Sequence, residues 1–110
     1  MESLELPAGI AVDKEGYLRS LDDWDDEVAV VIARREGIHL LQSHWEIIRL
    51  LRSFYKRHQV SPANRALVKL VERELGSDKG RSVYLMKLFG GSPTRLACKI
   101  AGLPKPDNCL

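Results

Sequence analysis

Between Asp22 and Gly102 the chain is divided into five apolar-striped segments by the start and stop signals of α-helices. This punctuation constrains the fold more than any other feature. Asp22 to Glu27 supply capping groups and negative charge at a helix N-terminus, where the helix dipole favours them. Val28, Val31 and Ile32 form the apolar face that follows, Arg34 and Arg35 fall in the last turn, and Gly37 ends the helix. Ser43-His44-Trp45-Glu46 reads as a capping box opening a second helix, with its stripe at Trp45, Ile48, Leu51, Phe54 and Tyr55. Ser61-Pro62 and Ser92-Pro93 each place an N-cap before a proline at the first helical position, where a missing N–H costs nothing. The first opens a helix carrying Ala63, Leu67, Leu70 and Leu75 to Gly76; the second carries Leu96, Ala97, Ile100 and Ala101 to Gly102. Between them Val83, Tyr84, Leu85, Leu88 and Phe89 give a fourth helix ending at Gly90-Gly91. The expected fold class is mainly α, a bundle of about five helices.

The two ends of the chain read differently. Leu4 and Leu6, then Ile10 and Val12, flank the turn-forming Pro7-Ala8-Gly9, so residues 3–12 are expected to form a small N-terminal β-hairpin. Asp13-Lys14-Glu15-Gly16 makes a second turn. A lone hairpin is marginal in water and must pack on the bundle. A length of 110 residues suits one domain: hairpin plus bundle over residues 1–101, then a flexible C-terminal arm over 102–110. The longest uninterrupted apolar run, Val28 to Ala33, falls far short of the ~20 residues that cross a bilayer. Glu2 and Glu5 stand where a secretion signal needs positive charge. A cytoplasmic, reducing setting with no membrane partner is therefore expected. There, two cysteines point to reduced thiols, metal ligands or redox groups rather than a structural staple.

The net charge of +2 hides an uneven split. Residues 1–40 carry four Lys/Arg against ten Asp/Glu, and residues 41–110 carry thirteen against five. Such a basic half suits RNA or an acidic protein surface; solvated helix faces are the plainer account.

The last eight residues hold the chemistry. Leu103-Pro104-Lys105-Pro106-Asp107-Asn108-Cys109-Leu110 contains two prolines that forbid a helix and favour an extended arm, reaching at most ~28 Å. Its penultimate residue, Cys109, is placed as a sulfur carrier needs: exposed, with reach, and held by few contacts. A thiolate there attacks a donor persulfide and keeps the outer sulfur, by the logic of thiol–disulfide exchange. An incidental thiol is the plainer reading of position alone. The Leu110 carboxylate disfavours the thiolate, so cations must compensate. Lys105 on the arm or a partner supplies them, and Lys99, Arg95 and Lys87 near the arm are candidates to guide the anionic persulfide, although a solvated helix face accounts for these three as well. Cys98, eleven positions earlier, has Leu96, Ala97 and Ile100 as neighbours. It is either a small buried hydrophobe or a resolving thiol, since the intervening glycine and prolines allow a loop to close. His39, His44 and His58 show no paired-ligand spacing with the cysteines, so neither metal nor cofactor is expected.

The chain resembles the DsrC/TusE family from about Gly16-Tyr17-Leu18 to its last residue. The resemblance is carried by Ala29-Val30-Val31-Ile32-Ala33, His44-Trp45-Glu46, Ser61-Pro62-Ala63, Lys79-Gly80 and Leu88-Phe89. Most specific is Lys99-Ile100-Ala101-Gly102-Leu103-Pro104-Lys105-Pro106 with the penultimate Cys109. The resemblance implies a cytoplasmic protein with a hairpin, a bundle containing a helix-turn-helix-like part, and a mobile arm. It implies a sulfurtransferase that accepts persulfide sulfur from a TusBCD-like complex and hands it to an MnmA-like thiouridylase making wobble 2-thiouridine in tRNA. Cys109 matches the shared sulfur-carrying position. Cys98 matches the second cysteine of DsrC-like members, which many TusE-like members lack. That keeps open a second role, as carrier or redox partner of dissimilatory sulfite reductase through a Cys98–Cys109 disulfide or trisulfide. A third reading takes residues 61–75 and 80–89 as a nucleic-acid-binding helix-turn-helix. Tyr84, Leu85, Leu88 and Phe89 leave it few positions for base-edge donors.

Overall fold

The fold was obtained as a computed structural model that describes residues 3–107. A 3-10 turn, Leu21–Asp23, precedes five α-helices: α1 (Asp26–Arg35), α2 (Gln42–His58), α3 (Asn64–Leu75), α4 (Ser82–Phe89) and α5 (Pro93–Ile100). The helical part of the expectation holds element by element. No described helix is long and apolar enough to cross a membrane.

α5 is the centre of the bundle and packs against each of the other four helices. Its buried positions are small or compact, Thr94, Ala97, Cys98 and Ile100, with Ala101 just beyond. Small residues let neighbouring helices approach closely on several sides. Around it Val28 and Ile32 of α1, Ile48 and Leu51 of α2, Leu67 of α3 and Phe89 of α4 complete one core. Each such side chain contributes about 1.5–3 kcal/mol on burial.

The expected N-terminal hairpin is not there. Among the described residues β pairing is a single antiparallel bridge, Val12 to Leu18. The chain reverses at Asp13–Gly16 rather than at Pro7-Ala8-Gly9. Asp13 N–H donates to the Tyr17 carbonyl at 2.8 Å and Arg19 N–H to the Ala11 carbonyl at 3.0 Å. The cause is the Asp13 carboxylate, which accepts from the backbone of Glu15 (2.9 Å) and Tyr17 (3.0 Å) and so fixes that turn. Pro7 lacks a donor for a ladder, and Ile10 N–H closes only a local turn onto its carbonyl.

The starts of α2 and α3 differ from expectation, while α1 is capped from within the expected Asp22–Glu27 stretch. Asp25 caps α1, its carboxylate accepting from Val28 N–H at 2.9 Å, while Asp22 and Asp23 sit in the preceding 3-10 turn. Ser43 lies inside α2. The first turn is instead closed by His44, whose Nδ1 accepts from Leu41 N–H at 3.0 Å. His44 is buried, and its Nε2 lies 2.8 Å from the Leu88 carbonyl, so the neutral ring carries its proton on Nε2. Ser61 does not cap α3 either: the N-cap is Ala63, and the Ser61 hydroxyl is used elsewhere.

Candidate functional site: the root of the C-terminal arm

Gly102 ends α5 in a Schellman turn. With φ at +74° it sits in the left-handed region, Gly102 N–H donates to the Lys99 carbonyl at 3.1 Å, and Leu103 N–H donates to the Cys98 carbonyl at 2.9 Å. The two carbonyls that this turn leaves over are met from other elements. Trp24 Nε1–H donates to Ile100 O at 2.8 Å, and Arg52 donates to Ala101 O at 2.7 Å. The Arg52 guanidinium also lies 3.9 Å from the centre of the Trp24 ring, in cation–π contact. Part-burial lowers the Arg52 pKa without threatening its charge, since the group titrates far above neutrality. Every carbonyl from Ala97 to Ala101 therefore has a partner, and the arm leaves from a fixed point.

Beyond that point the arm stays against the body as far as it is described. Leu103 is 2% exposed, and Pro106 is buried too. The Ser61 hydroxyl donates to the Pro104 carbonyl at 2.6 Å, and Lys105 Nζ lies 2.9 Å from Glu15 Oε2. A groove of about 430 Å³ runs beside the root between Arg52, Tyr55, Lys56, Gln59 and Leu103. A smaller one of about 150 Å³ continues past Tyr55 and Gln59 to Pro104 and Pro106.

The residues singled out from sequence fall in different places. Cys109 lies outside the described residues. Cys98 is 0% exposed on the central helix, as a small core residue would be. Lys99 is turned to the body, 3.2 Å from Glu36 and 5.2 Å from the centre of the Tyr17 ring. Lys105 is engaged with Glu15. Arg95 is exposed on α5, and its backbone carbonyl accepts from the Tyr17 hydroxyl at 3.3 Å. Lys87 is exposed on α4. α4 turns Val83 and Met86 outward, 55% and 48% exposed, which gives base edges few donors. Among the described residues no three His, Cys, Asp or Glu side chains converge as a metal site does.

Three residues that hold the arm, Trp24, Arg52 and Ser61, were not singled out as functional. Their partners lie 76, 49 and 43 positions away along the chain. One signal was present: an apolar residue directly after a helix-ending glycine, Gly102-Leu103, is the sequence mark of the Schellman turn.

A bundle built on a central last helix that releases an anchored, cysteine-bearing tail defines the class. The chain belongs to the DsrC-like protein family, whose model matches residues 7–110, and it is a sulfurtransferase with a sulfur-relay role. It is 50% identical to the sulfurtransferase TusE of Sodalis glossinidius over 101 residues, covering 92% of this chain and 94% of that one. It is 48% identical to the TusE of Escherichia coli, with coverage of 92% and 93%. Among solved structures it is similar to Allochromatium vinosum DsrC, with a TM-score of 0.84, 48% identity and coverage of 92% and 90%. It is also similar to the oxidized gamma-subunit of dissimilatory sulfite reductase (DsrC) from Archaeoglobus fulgidus, with a TM-score of 0.80, 37% identity and 92% coverage of both chains.

Proposed function

We propose that the protein carries sulfane sulfur on Cys109, in the cytoplasm, for synthesis of wobble 2-thiouridine in tRNA. The donor is a TusBCD-like complex and the acceptor an MnmA-like thiouridylase with its tRNA. The observation that carries this reading is the contrast between the two cysteines. Cys98 is sealed in the central helix, where a thiol bound to another protein cannot reach it. Cys109 follows the anchored Pro104 by five residues, a tether of at most ~18 Å. The Cys109 thiolate attacks the outer sulfur of the donor persulfide. The donor S–S bond breaks, the donor departs as a thiolate, and the outer sulfur remains as Cys109–S–S⁻. The same exchange then passes it to a thiolate of the acceptor. Incubating the protein with a labelled persulfide donor tests this. Cys109→Ser should take up no label and Cys98→Ser should retain it, whereas equal labelling of both variants sinks the assignment.

A second reading is the DsrC-type role with dissimilatory sulfite reductase, in which Cys98 and Cys109 bridge. It is favoured by the turn that bonds Leu103 N–H to the Cys98 carbonyl, so that the arm begins in hydrogen-bond contact with the residue that would bridge. Mild oxidation of dilute protein, alkylation and intact-mass measurement separate the two. A loss of two hydrogens with no alkylation supports the bridge, and full alkylation of both thiols in the unfolded protein supports a single working cysteine.

A further inference from the structure

The arm is held at two kinds of contact, and they differ in strength. At Gly102 the backbone is locked by the Schellman turn, the Trp24 N–H and the Arg52 guanidinium. At Pro104 and Lys105 the body offers a neutral hydrogen bond from Ser61 and an ion pair with Glu15. The Lys105 and Glu15 side chains are 39% and 50% exposed, so water and salt compete for that pair. Glu15 is itself presented by the Asp13–Gly16 turn, which the Asp13 carboxylate fixes. That turn is bound to α5 through the Tyr17 hydroxyl and the Lys99 side chain.

We propose that Glu15 and Ser61 are positioning residues for sulfur transfer: they hold Pro104 and Lys105 on the body and so set how far the sulfur-bearing end of the arm extends. The inference rests on the carrier reading of Cys109. With both contacts made, Pro104, Lys105 and the buried Pro106 lie on the body; losing them shifts the arm toward a lifted state in which Pro106 leaves as well and the tether to Cys109 starts at Leu103, whose buried side chain and backbone bond stay in place. Three more residues of reach, about 10 Å, then become available to a partner's active site. Because the pair is ionic and exposed, salt or a carboxylate on a docking partner releases the arm by competing for Lys105.

The test compares two thiol reagents on Cys109 in a Cys98→Ala background. Iodoacetamide is small and reports thiolate reactivity, whereas a maleimide on a long polyethylene glycol chain reports reach beyond the body. Glu15→Gln, Lys105→Met and Ser61→Ala should each raise the ratio of bulky to small reagent rates by about two- to five-fold at low salt, the population shift expected on losing one exposed ion pair or one neutral hydrogen bond. Added salt should raise the ratio in the parent and leave it flat in Glu15→Gln. The charge swap Glu15→Lys with Lys105→Glu should restore the parent ratio, which a loss of structure would not do. Unchanged ratios in the three variants, or a swap that fails to restore them while the melting temperature holds, would overturn the proposal. Alkylation does not depend on any sulfur donor, so failure here is distinct from failure of the carrier reading.

Discussion

Gly102 lies directly beneath the indole of Trp24: a methyl group added at its Cα would fall 2.7 Å from the ring's Cγ and 2.9 Å from its Cβ. Together with φ of +74°, this makes the position intolerant of any side chain. Left-handed backbone costs a non-glycine residue about 1–2 kcal/mol before the ring is displaced. Gly102→Ala should lower the melting temperature by several degrees and shift Trp24 emission to the red as the indole is pushed outward. If the contact is the cause, Trp24→Ala and Gly102→Ala combined should cost clearly less than the sum of the two. Strict additivity would show that the ring does not rest on this glycine.

Arg52 meets the same turn from α2, donating to the Ala101 carbonyl and covering the Trp24 face. Arg52→Met keeps the aliphatic stem and removes both interactions. The expected loss is about 1.5–3 kcal/mol, the range for a hydrogen bond from a charged donor. Arg52→Lys should recover only part of it, since an ammonium cannot both lie flat on the indole and reach the carbonyl as a guanidinium does. Urea denaturation of the three proteins decides this, and a Lys variant equal to the parent would refute the stacked geometry.

The Asp13 turn makes stability depend on acid. The backbone N–H of Tyr17, above all, holds the Asp13 carboxyl below its ordinary value of 3.8. A folded pKa below the unfolded one means that the stabilisation is complete above the unfolded value and fades as pH falls through the folded one. Asp13→Ala should therefore be less stable than the parent at pH 7 and pH 5, with the gap closing as the pH drops below about 4. Urea midpoints at pH 7, 5 and 3 check this. A gap that persists undiminished at pH 3 would mean the turn does not depend on the charged carboxylate.

What could be read from the sequence was what is local. The five helices follow from periodic apolar residues and stop glycines, signals that lie within one or two turns of the feature they specify. The start of α3 was misplaced for the opposite reason: a serine before proline looks like an N-cap, but Ser61 gives its hydroxyl to a carbonyl 43 residues away. His44 was rightly placed in a helix cap, yet Ser43 beside it took the credit for the capping box. The hairpin failed because alternating apolar residues describe a strand only where a second strand offers a ladder, and Pro7 interrupts it. At the site, the arm's composition and its cysteine were legible, while its anchors were not. Trp24 and Arg52 act through backbone carbonyls of α5, and no residue type advertises a carbonyl as its partner.

The anchored course of residues 103–107 changes what removing the arm should do. The sequence suggests a flexible tail held by few contacts, but the structure buries Leu103 and Pro106 and bonds Pro104 to Ser61. Leu103 alone, at 2% exposed, should cost about 2–5 kcal/mol when cut to alanine, the usual range for a buried leucine. Truncation after Gly102 removes that side chain, opens the groove beside Tyr55 and leaves the Cys98 carbonyl without the Leu103 donor. It should therefore lower the melting temperature at least as far as Leu103→Ala does, roughly 4 °C or more per kcal/mol in a domain this size. The far-ultraviolet circular dichroism should remain helical at low temperature, because Trp24 and Arg52 still hold the end of α5. A truncated protein that melts with the parent would show that the arm rests on the body without stabilising it, and that Leu103 is replaceable by solvent.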